Sequence, residues 1–300
     1  MTSIAQQTES HADVWHETCH ELAEGPVAHP ERSSILWFDI PHGLLYERPF
    51  SGGTVRQHAL GVMASVAALV DRRRILIATE RDLRLYDLDS RDSRAIHPFI
   101  TDHPHLRSND GRVHPSGALW ISSMGKQAEP EQGAIWWFRE GELRLLFERI
   151  TIGNAICFGN GGRIAYFADS ASRTIWRVTT DPETGLPTGD PAVFKRFADS
   201  EGEPDGAIVD ADGRLWSAAW GAAAVYVWNV DATLFDYHRL PVSQPTCPAF
   251  FGENLDAVVV TSAYQNLAAD ARLSAEPLAG ALFKLRCKAR GIPEPYVRLE

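Results

Sequence analysis

The chain has 300 residues, of which 44% are hydrophobic and 23% charged, and its formal net charge is −10. This composition is typical of a folded globular protein with a large core. The negative charge argues against nucleic acid as a partner, because phosphate binding requires a basic surface. The first residues show no apolar segment of signal-peptide length, and no later segment is long and apolar enough to span a bilayer. We therefore expect a cytoplasmic protein that binds neither nucleic acid nor membrane.

Residues 1–20 precede any repeated pattern, and they are predicted to be an N-terminal extension that acts as a lid or strap. Within it, the segment from His16 to His20 matches the H-E-x-x-H pattern of zinc proteases. No companion protease motif follows, and the segment leads directly into strand-like sequence, so a zinc protease is not favoured. Helical periodicity is weak almost everywhere else, with residues 11–23 and 264–276 as candidates for short helices or loops.

From residue 21 onward the chain repeats one pattern, a turn followed by a small or basic residue and a short β-prone segment. The six copies are ERSSILWFDI (31–40), DRRRILIATE (71–80), HPSGALWISSM (114–124), NGGRIAYFADS (160–170), DADGRLWSAAW (210–220) and GENLDAVVVTSA (252–263). Taking Trp37, Ile77, Trp120, Tyr166, Trp216 and Val259 as equivalent, the steps are 40, 43, 46, 50 and 43 residues.

This spacing suits one four-stranded blade per copy. Residues 21–300 are therefore predicted to form a single all-β domain, a six-bladed β-propeller. A pair of β-sandwiches and a seven-bladed ring are the alternatives.

Three lone polar residues lie beside apolar strand residues at a similar place in their repeats: Glu24, Asn154 and Asp205. Burying such groups unpaired costs several kcal/mol, roughly 2–7 even for a neutral amide. If all three face one axis, a cation between them would satisfy their oxygens, and such ligands suit Ca²⁺, Mg²⁺, Mn²⁺ or Zn²⁺. Each residue alone is also compatible with an ordinary turn, bulge or loop, and the metal site is favoured by their recurrence at one blade position.

A second polar group occurs in RSND, where Arg107, Asn109 and Asp110 precede the strand-like segment that ends at Trp120. Asn-Asp-Gly is compatible with a tight turn. The alternative is that a ligand requires the guanidinium and the carboxamide.

The chain resembles the SMP-30/gluconolactonase/regucalcin family, and in particular its bacterial sugar-lactonase members. The resemblance lies in AEGPVAHPERSSILWFDI, RSNDGRVHPSGALWISSMG, ITIGNAICF, YFADSASRTIW, EPDGAIVDADGRLWSAAWG and LPVSQPTCPAFFG, which follow the family's order over about residues 21–290. Members of this family are six-bladed propellers that hydrolyse sugar lactones with one divalent metal ion.

By motif, the resemblance implies that Glu24, Asn154 and Asp205 bind the metal and that Arg107 and Asn109 contact the substrate. Calcium is the first candidate for the ion, with zinc, manganese and magnesium as alternatives. Asp110 is expected to fix the loop by accepting backbone N–H groups.

Two positions depart from the family pattern. Where vertebrate members have a glutamate that contacts the sugar, this chain has Lys126, which we assign to substrate binding. The hydroxyl pattern that is recognised is therefore expected to differ. The Asn-Gly step of the family is Asn154-Ala155 here, a change that could shift the strand backbone.

The predicted reaction is opening of a lactone ring, with the metal ion as a Lewis acid for the developing oxyanion. Asp205 either accepts the proton of the attacking water, as the family proposal has it, or only orients a water whose pKa the ion lowers. Arg107 offers a planar fork of donors to ring hydroxyls or the product carboxylate, or it forms a salt bridge to a neighbouring blade.

The sequence therefore predicts a metal-dependent aldonolactonase whose partner is a small sugar lactone. The alternatives are a calcium-binding, regucalcin-like regulatory protein without turnover, and a metal-dependent esterase or phosphotriesterase.

Overall fold

The structure, a computed structural model, describes residues 12–300, which form 24 β-strands and little helix. The strands are β1 (Ala12–His16), β2 (Ala23–His29), β3 (Ser34–Asp39), β4 (Leu44–Pro49), β5 (Arg56–Ala59), β6 (Ala64–Leu69), β7 (Arg74–Thr79), β8 (Asp82–Asp87), β9 (Ser93–Pro98), β10 (Leu106–Val113), β11 (Leu119–Gly125), β12 (Gly133–Arg139), β13 (Glu142–Ile150), β14 (Gly153–Gly159), β15 (Ile164–Asp169), β16 (Thr174–Thr179), β17 (Ala192–Arg196), β18 (Glu203–Val209), β19 (Leu215–Trp220), β20 (Ala224–Trp228), β21 (Leu234–Arg239), β22 (Pro245–Phe251), β23 (Ala257–Ser262) and β24 (Leu282–Leu285). The helical segments are α1 (Ala269–Ala275) and 3-10 turns at Pro30–Arg32, Asn160–Gly162, Ser170–Ser172 and Asp199–Glu201.

The strands pair in six antiparallel sheets of four, which confirms the predicted six-bladed β-propeller. Blades 1 to 5 are β2–β5, β6–β9, β10–β13, β14–β17 and β18–β21, and blade 6 has the order β22-β23-β24-β1. The first strand of each blade packs against the first strands of its neighbours. These inner strands therefore surround the central axis.

The six positions that define the sequence repeat all lie on the second strand of a blade, and all are buried. A second strand has a paired neighbour on each side, which explains why the pattern is most regular there. Trp120 on β11 is fully buried, stands edge-on to Phe158 on β14 with ring centroids 5.4 Å apart, and donates its indole N–H to the carbonyl of Gly185 at 2.9 Å. Burial of such a side chain stabilises the fold by about 1.5–3 kcal/mol, so aromatic packing holds blades 3 and 4 together.

The ring is closed by strands from both ends of the described chain. Strand β1 pairs antiparallel with β24, with Asp13 opposite Lys284, and an Arg286–Asp13 ion pair with Nε and Oδ2 2.9 Å apart lies beside this ladder. The described part of the predicted N-terminal extension therefore begins with an outer blade strand, while residues 1–11 lie outside the described residues.

The H-E-x-x-H segment is not helical, although the protease chemistry would require both histidines on one helix face. His16 ends β1, and His20 accepts a hydrogen bond from the indole of Trp37 at 3.2 Å. Helix α1 falls within the predicted segment 264–276. Among residues 12–300, none of the helices has the length and apolar character needed to cross a membrane.

Candidate functional site

Each inner strand has an irregularity in its pairing at the same point. The breaks fall between Glu24 and Val27, Ala64 and Val66, Ser108 and Gly111, Asn154 and Cys157, Pro204 and Ala207, and Pro245 and Pro248. A β-bulge bends its strand and re-aims the side chains at that point. The six bulges therefore allow polar side chains within apolar strands to face the axis.

The bulge after Glu24 requires glycine. Gly25 has a φ of 57°, and a Cβ built on it would lie 2.2 Å from the carbonyl oxygen of Ser65 on blade 2. The corresponding residue after Asn154 is Ala155, which is fully buried and keeps a left-handed φ of 54°. The departure from Asn-Gly is thus accommodated in a left-handed conformation, at a cost of about 1–2 kcal/mol relative to glycine.

A cavity of about 510 Å³ opens at the end of the axis where the inner strands begin. It brings together all the side chains that the sequence predicts for the site: Glu24, Arg107, Asn109, Lys126, Asn154 and Asp205. Other polar or aromatic side chains on its wall are Glu21, Gln127, Ser170, Glu203, Trp220, Gln265 and Asn266.

A chain of hydrogen bonds crosses this cavity from blade 3 to blade 5. Arg107 Nη1 donates to Asn109 Oδ1 at 2.6 Å, and Asn109 Nδ2 donates to Asn154 Oδ1 at 2.9 Å. Asn154 Nδ2 donates to Ser170 Oγ at 2.8 Å, and this hydroxyl donates to the carbonyl of Pro204 at 2.6 Å. The amide of Asn154 is therefore oriented from both sides.

The two predicted carboxylate ligands, Glu24 and Asp205, are buried in the cavity. Burial raises the pKa of Glu24 to about 8, and the carboxylate of Asp110 adds to the rise. Burial, followed by the like charge of Glu24, raises the pKa of Asp205 well above its ordinary value. Within residues 12–300 no ion pair joins either carboxylate to a base. Each carboxylate therefore disfavours the ionised form of the other.

Arg107 is also buried, which lowers the pKa of its guanidinium to about 10, while Glu24 and Asp205 oppose this shift. It remains a cation at neutral pH. Its Nη1 donates to Asn109 and to the carbonyl of Ser108 at 2.9 Å, both in its own strand. The alternative of a salt bridge to a neighbouring blade is not seen among the described residues.

Asp110 does not line the cavity. Its Oδ2 accepts the N–H of Ile156 at 2.8 Å and its Oδ1 the N–H of Gly111 at 2.7 Å. This carboxylate joins blade 3 to blade 4 and holds the bulge in place, as the sequence predicts. The segment RSND therefore serves both purposes, because Arg107 and Asn109 face the cavity.

Lys126 reaches the wall of the cavity but has protein partners there. Its Nζ lies 2.6 Å from Glu80 Oε2 and donates to the carbonyl of Pro104 at 2.8 Å. Contact between Lys126 and a substrate stays a prediction.

Several residues of the cavity were not found from the sequence. Ser170 lies in a 3-10 turn after β15 and not within an apolar strand, so the pattern of a lone polar residue in an apolar strand does not indicate it. Glu203 could have been predicted from the sequence, because it precedes Asp205 by two residues and residues two apart on a strand lie on the same face. Gln265 and Asn266 come from a loop without a repeat pattern.

The residues present fit a divalent cation. Two buried carboxylates without a base leave negative charge that a cation would balance, and Asn154 Oδ1 adds a neutral oxygen ligand. No group of three or more His, Cys, Asp or Glu side chains among residues 12–300 is arranged to hold a metal. The candidate set therefore consists of two carboxylates and one amide, which is oxygen chemistry of the kind that Ca²⁺ and Mg²⁺ accept.

The fold and the cavity together define a six-bladed β-propeller with an acidic, arginine-containing site at one end of its axis. Residues 22–264 match the family described as the SMP-30/Gluconolactonase/LRE-like region, and the chain belongs to this family.

Three relatives cover nearly the whole chain. A Rhizobium meliloti protein to which a sugar lactone lactonase activity is ascribed is 42% identical over 94% of this chain and 96% of its own length. The L-arabinolactonase of Azospirillum brasilense is 31% identical over 94% of this chain and 93% of its own. A calcium-binding protein, regucalcin, from Agrobacterium tumefaciens is 37% identical in sequence. Its crystal structure superposes with a TM-score of 0.96 and covers 99% of this chain and 100% of that chain.

Proposed function

We propose that this protein hydrolyses the ester ring of a sugar lactone to the aldonic acid, with one divalent metal ion held by Glu24, Asn154 and Asp205. The observation that carries the proposal is the meeting of two unpaired buried carboxylates, an oriented amide and a buried arginine in one cavity. The names of the relatives, a sugar lactone lactonase and an L-arabinolactonase, support this substrate class.

Calcium is the ion we favour, because the ligands are oxygens and the similar Agrobacterium structure is described as calcium-binding. Zinc, manganese and magnesium are the alternatives, since oxygen ligands accept several ions. When bound, the ion supplies Lewis-acid stabilisation of the negative charge that develops on the lactone carbonyl oxygen, a contribution of several kcal/mol.

Asp205 is the group we assign to the attacking water. The water oxygen adds to the carbonyl carbon while its proton passes to the carboxylate of Asp205. The bond between the carbonyl carbon and the ring oxygen then breaks, and the ring oxygen takes up this proton from Asp205. The alternative is that a bound ion lowers the pKa of the water itself and that Asp205 only orients this water.

Arg107 and Asn109 orient the substrate. The guanidinium uses Nη1 for Asn109 and Ser108, so its other N–H groups can donate to a ring hydroxyl or to the new carboxylate. Asn109 is itself held by Arg107 and Asn154, which fixes the position of its amide before substrate binds.

A panel of pentono- and hexonolactones tests the proposed function. Protein stripped with a chelator and then refilled with Ca²⁺, Zn²⁺, Mn²⁺ or Mg²⁺ is assayed for acid release with an indicator. We expect hydrolysis of at least one lactone that falls at least about 100-fold on chelation and returns with one of the ions. The rates of hydrolysis of an aryl ester and of a phosphotriester in the same panel, compared with those of the lactones, test the esterase and phosphotriesterase alternative. Absence of ion-dependent acid release from every lactone would contradict the proposal.

A calcium-binding protein without turnover is the second candidate, and the description of the Agrobacterium structure favours it. Ion binding alone has no use for Arg107, which is buried in the cavity and kept close to both carboxylates. Calorimetric binding of calcium by a protein that is inactive on the whole panel would support this candidate.

A further inference from the structure

The cavity has a second set of charged side chains around the site described above. They are Glu21, Lys126 and Glu203, and we call Glu21 and Glu203 the acidic rim. The net charge of these side chains determines whether a charged substituent on the substrate is attracted or repelled. Charges at the mouth of a cleft raise or lower the local concentration of a charged ligand.

The positive charge of Lys126 is already balanced by the protein. Its Nζ lies 2.6 Å from Glu80 Oε2, and the same ammonium group donates to the carbonyl of Pro104. Glu80 is held in turn by the N–H of Met63, at 3.3 Å from its Oε1. Lys126 therefore offers little free positive charge to a ligand.

The acidic rim is not balanced in this way. Glu203 makes no ion pair within residues 12–300, and it lies on the wall of the same cavity as Asp205. Glu21 has His42 Nε2 at 3.7 Å, but the other ring nitrogen of His42 lies closer, at 3.1 Å, to Asp39. A divalent ion on the site carboxylates would leave these two negative charges in place.

The remaining polar side chains on the same wall are uncharged. Gln127, Gln265 and Asn266 carry amides, each of which can donate to and accept from a hydroxyl group. Gln265 is fixed relative to Glu21, because its backbone N–H donates to the Glu21 carbonyl at 2.9 Å. Neutral donors and acceptors beside two carboxylates are suited to a polyhydroxy ligand without a negative group.

We propose that Glu21 and Glu203 make this cavity selective for uncharged sugar lactones and against lactones that carry a phosphate, sulfonate or carboxylate group. The proposal rests on the proposed function and narrows its substrate class. Each rim carboxylate disfavours an anionic substituent within several ångströms by about tenfold, as expected for like charges in a partly hydrated cleft.

The test compares kcat/KM for a neutral aldonolactone with that for the same lactone bearing a 6-phosphate. The variants are Glu21→Gln, Glu203→Gln and the double variant, with Glu148→Gln as the control. Glu148 is an exposed glutamate on the outer strand β13, so its replacement changes the net charge equally, away from the cavity. Circular dichroism confirms that each variant is folded.

We expect the preference for the neutral lactone to fall about tenfold in each single variant and about 100-fold in the double variant, with no change in the control. Raising the salt from about 20 mM to about 500 mM should reduce the preference in the parent protein and leave the double variant unaffected. Glu80→Gln provides an independent variant, because it uncovers the charge of Lys126 and should also improve the phosphorylated lactone.

The charge selectivity and the proposed lactonase function are contradicted by different results. If the parent protein hydrolyses neutral and phosphorylated lactones equally well, or if the double variant keeps the preference, the charge selection is overturned while the lactonase remains. If the parent protein hydrolyses no lactone, the proposed function fails, and the selectivity fails with it.

Discussion

The two ends of the central channel bury charge in opposite ways. At the end with the cavity, neither Glu24 nor Asp205 forms an ion pair within residues 12–300, and the charge of Arg107 acts on both carboxylates. Toward the other end of the inner strands, Arg112 on β10 forms an ion pair with Glu294 from the C-terminal segment, and both side chains are largely buried. The pair lines a small pocket with Asp110, whose carboxylate accepts two backbone N–H groups.

The two ways of burying charge indicate different roles, structural for the ion pair and functional for the carboxylates in the cavity. A buried ion pair keeps its own charges balanced, whereas buried carboxylates that form no ion pair have raised pKa values, and a bound cation would stabilise their ionised forms. The same six inner strands thus have a charge-balanced end, at Arg112 and Glu294, and a cavity end, at Glu24 and Asp205. Four predictions test this contrast.

The largest effect is expected for Asp205→Asn at the cavity end. The variant should lose about 1000-fold or more in kcat/KM, because a proposed ligand and proton acceptor is removed. Its free energy of unfolding in the presence of chelator should be equal to or higher than that of the parent protein, because an unpaired buried charge has gone. Lactonase assays and urea denaturation measure the two quantities, with exposed Asp190→Asn as the matched control. A variant that is both active and destabilised would contradict the contrast.

At the charge-balanced end, Glu294→Gln should have the opposite profile. Removing one partner leaves Arg112 buried and unpaired, which should lower the free energy of unfolding by about 3 kcal/mol. The variant should keep kcat within about threefold, since neither residue lines the cavity. Urea denaturation and the lactone assay follow both quantities.

The double variant Arg112→Met/Glu294→Met is the control for this loss. It should recover much of the stability, because no lone charge remains. A single variant as stable as the parent protein would show that the ion pair does not hold this end.

An intermediate effect is expected for Ser170→Ala. The change removes the acceptor of Asn154 Nδ2 and the donor to Pro204, so we expect a loss of about 1–2 kcal/mol in stability and about tenfold in kcat/KM. Ion affinity measured by calorimetry should fall as well, which a purely structural serine would not cause. Ser172→Ala changes an exposed serine of the same turn and should have little effect.

The smallest effect is expected for Ala155→Gly. Glycine relieves the left-handed φ of 54° at this bulge, and this gain is offset by loss of a fully buried methyl group and by the greater entropy of the unfolded chain. The change in the free energy of unfolding should therefore lie within about 1 kcal/mol, with kcat/KM unchanged. Destabilisation well beyond that range would mean that the alanine methyl group holds the position of Asn154.

Much of the fold could be predicted because its information is local. The second strands repeat an apolar pattern after a turn, and Trp37, Trp120 and Trp216 stand at the same place in their copies. The pairing of β1 with β24 could not be predicted, because the partner strands are separated by almost the whole chain and β1 is short and half exposed.

The site was predictable to the extent that polar residues interrupt apolar strands. Asn154 and Asp205 stand out for this reason, whereas the hydroxyl of Ser170 and the neutralisation of Lys126 by Glu80 depend on contacts between different blades. Such contacts form only when the ring of blades closes, so they cannot be recognised from the local sequence.

We propose that one divalent ion occupies the cavity and is required for lactone hydrolysis. Calorimetric titration of chelator-stripped protein with Ca²⁺, followed by the lactone assay on the same samples, tests it most directly. We predict one ion bound per chain, activity that rises in proportion to occupancy, and loss of both in Asp205→Asn. Full activity of the stripped protein, or unchanged ion binding by Asp205→Asn, would contradict the account.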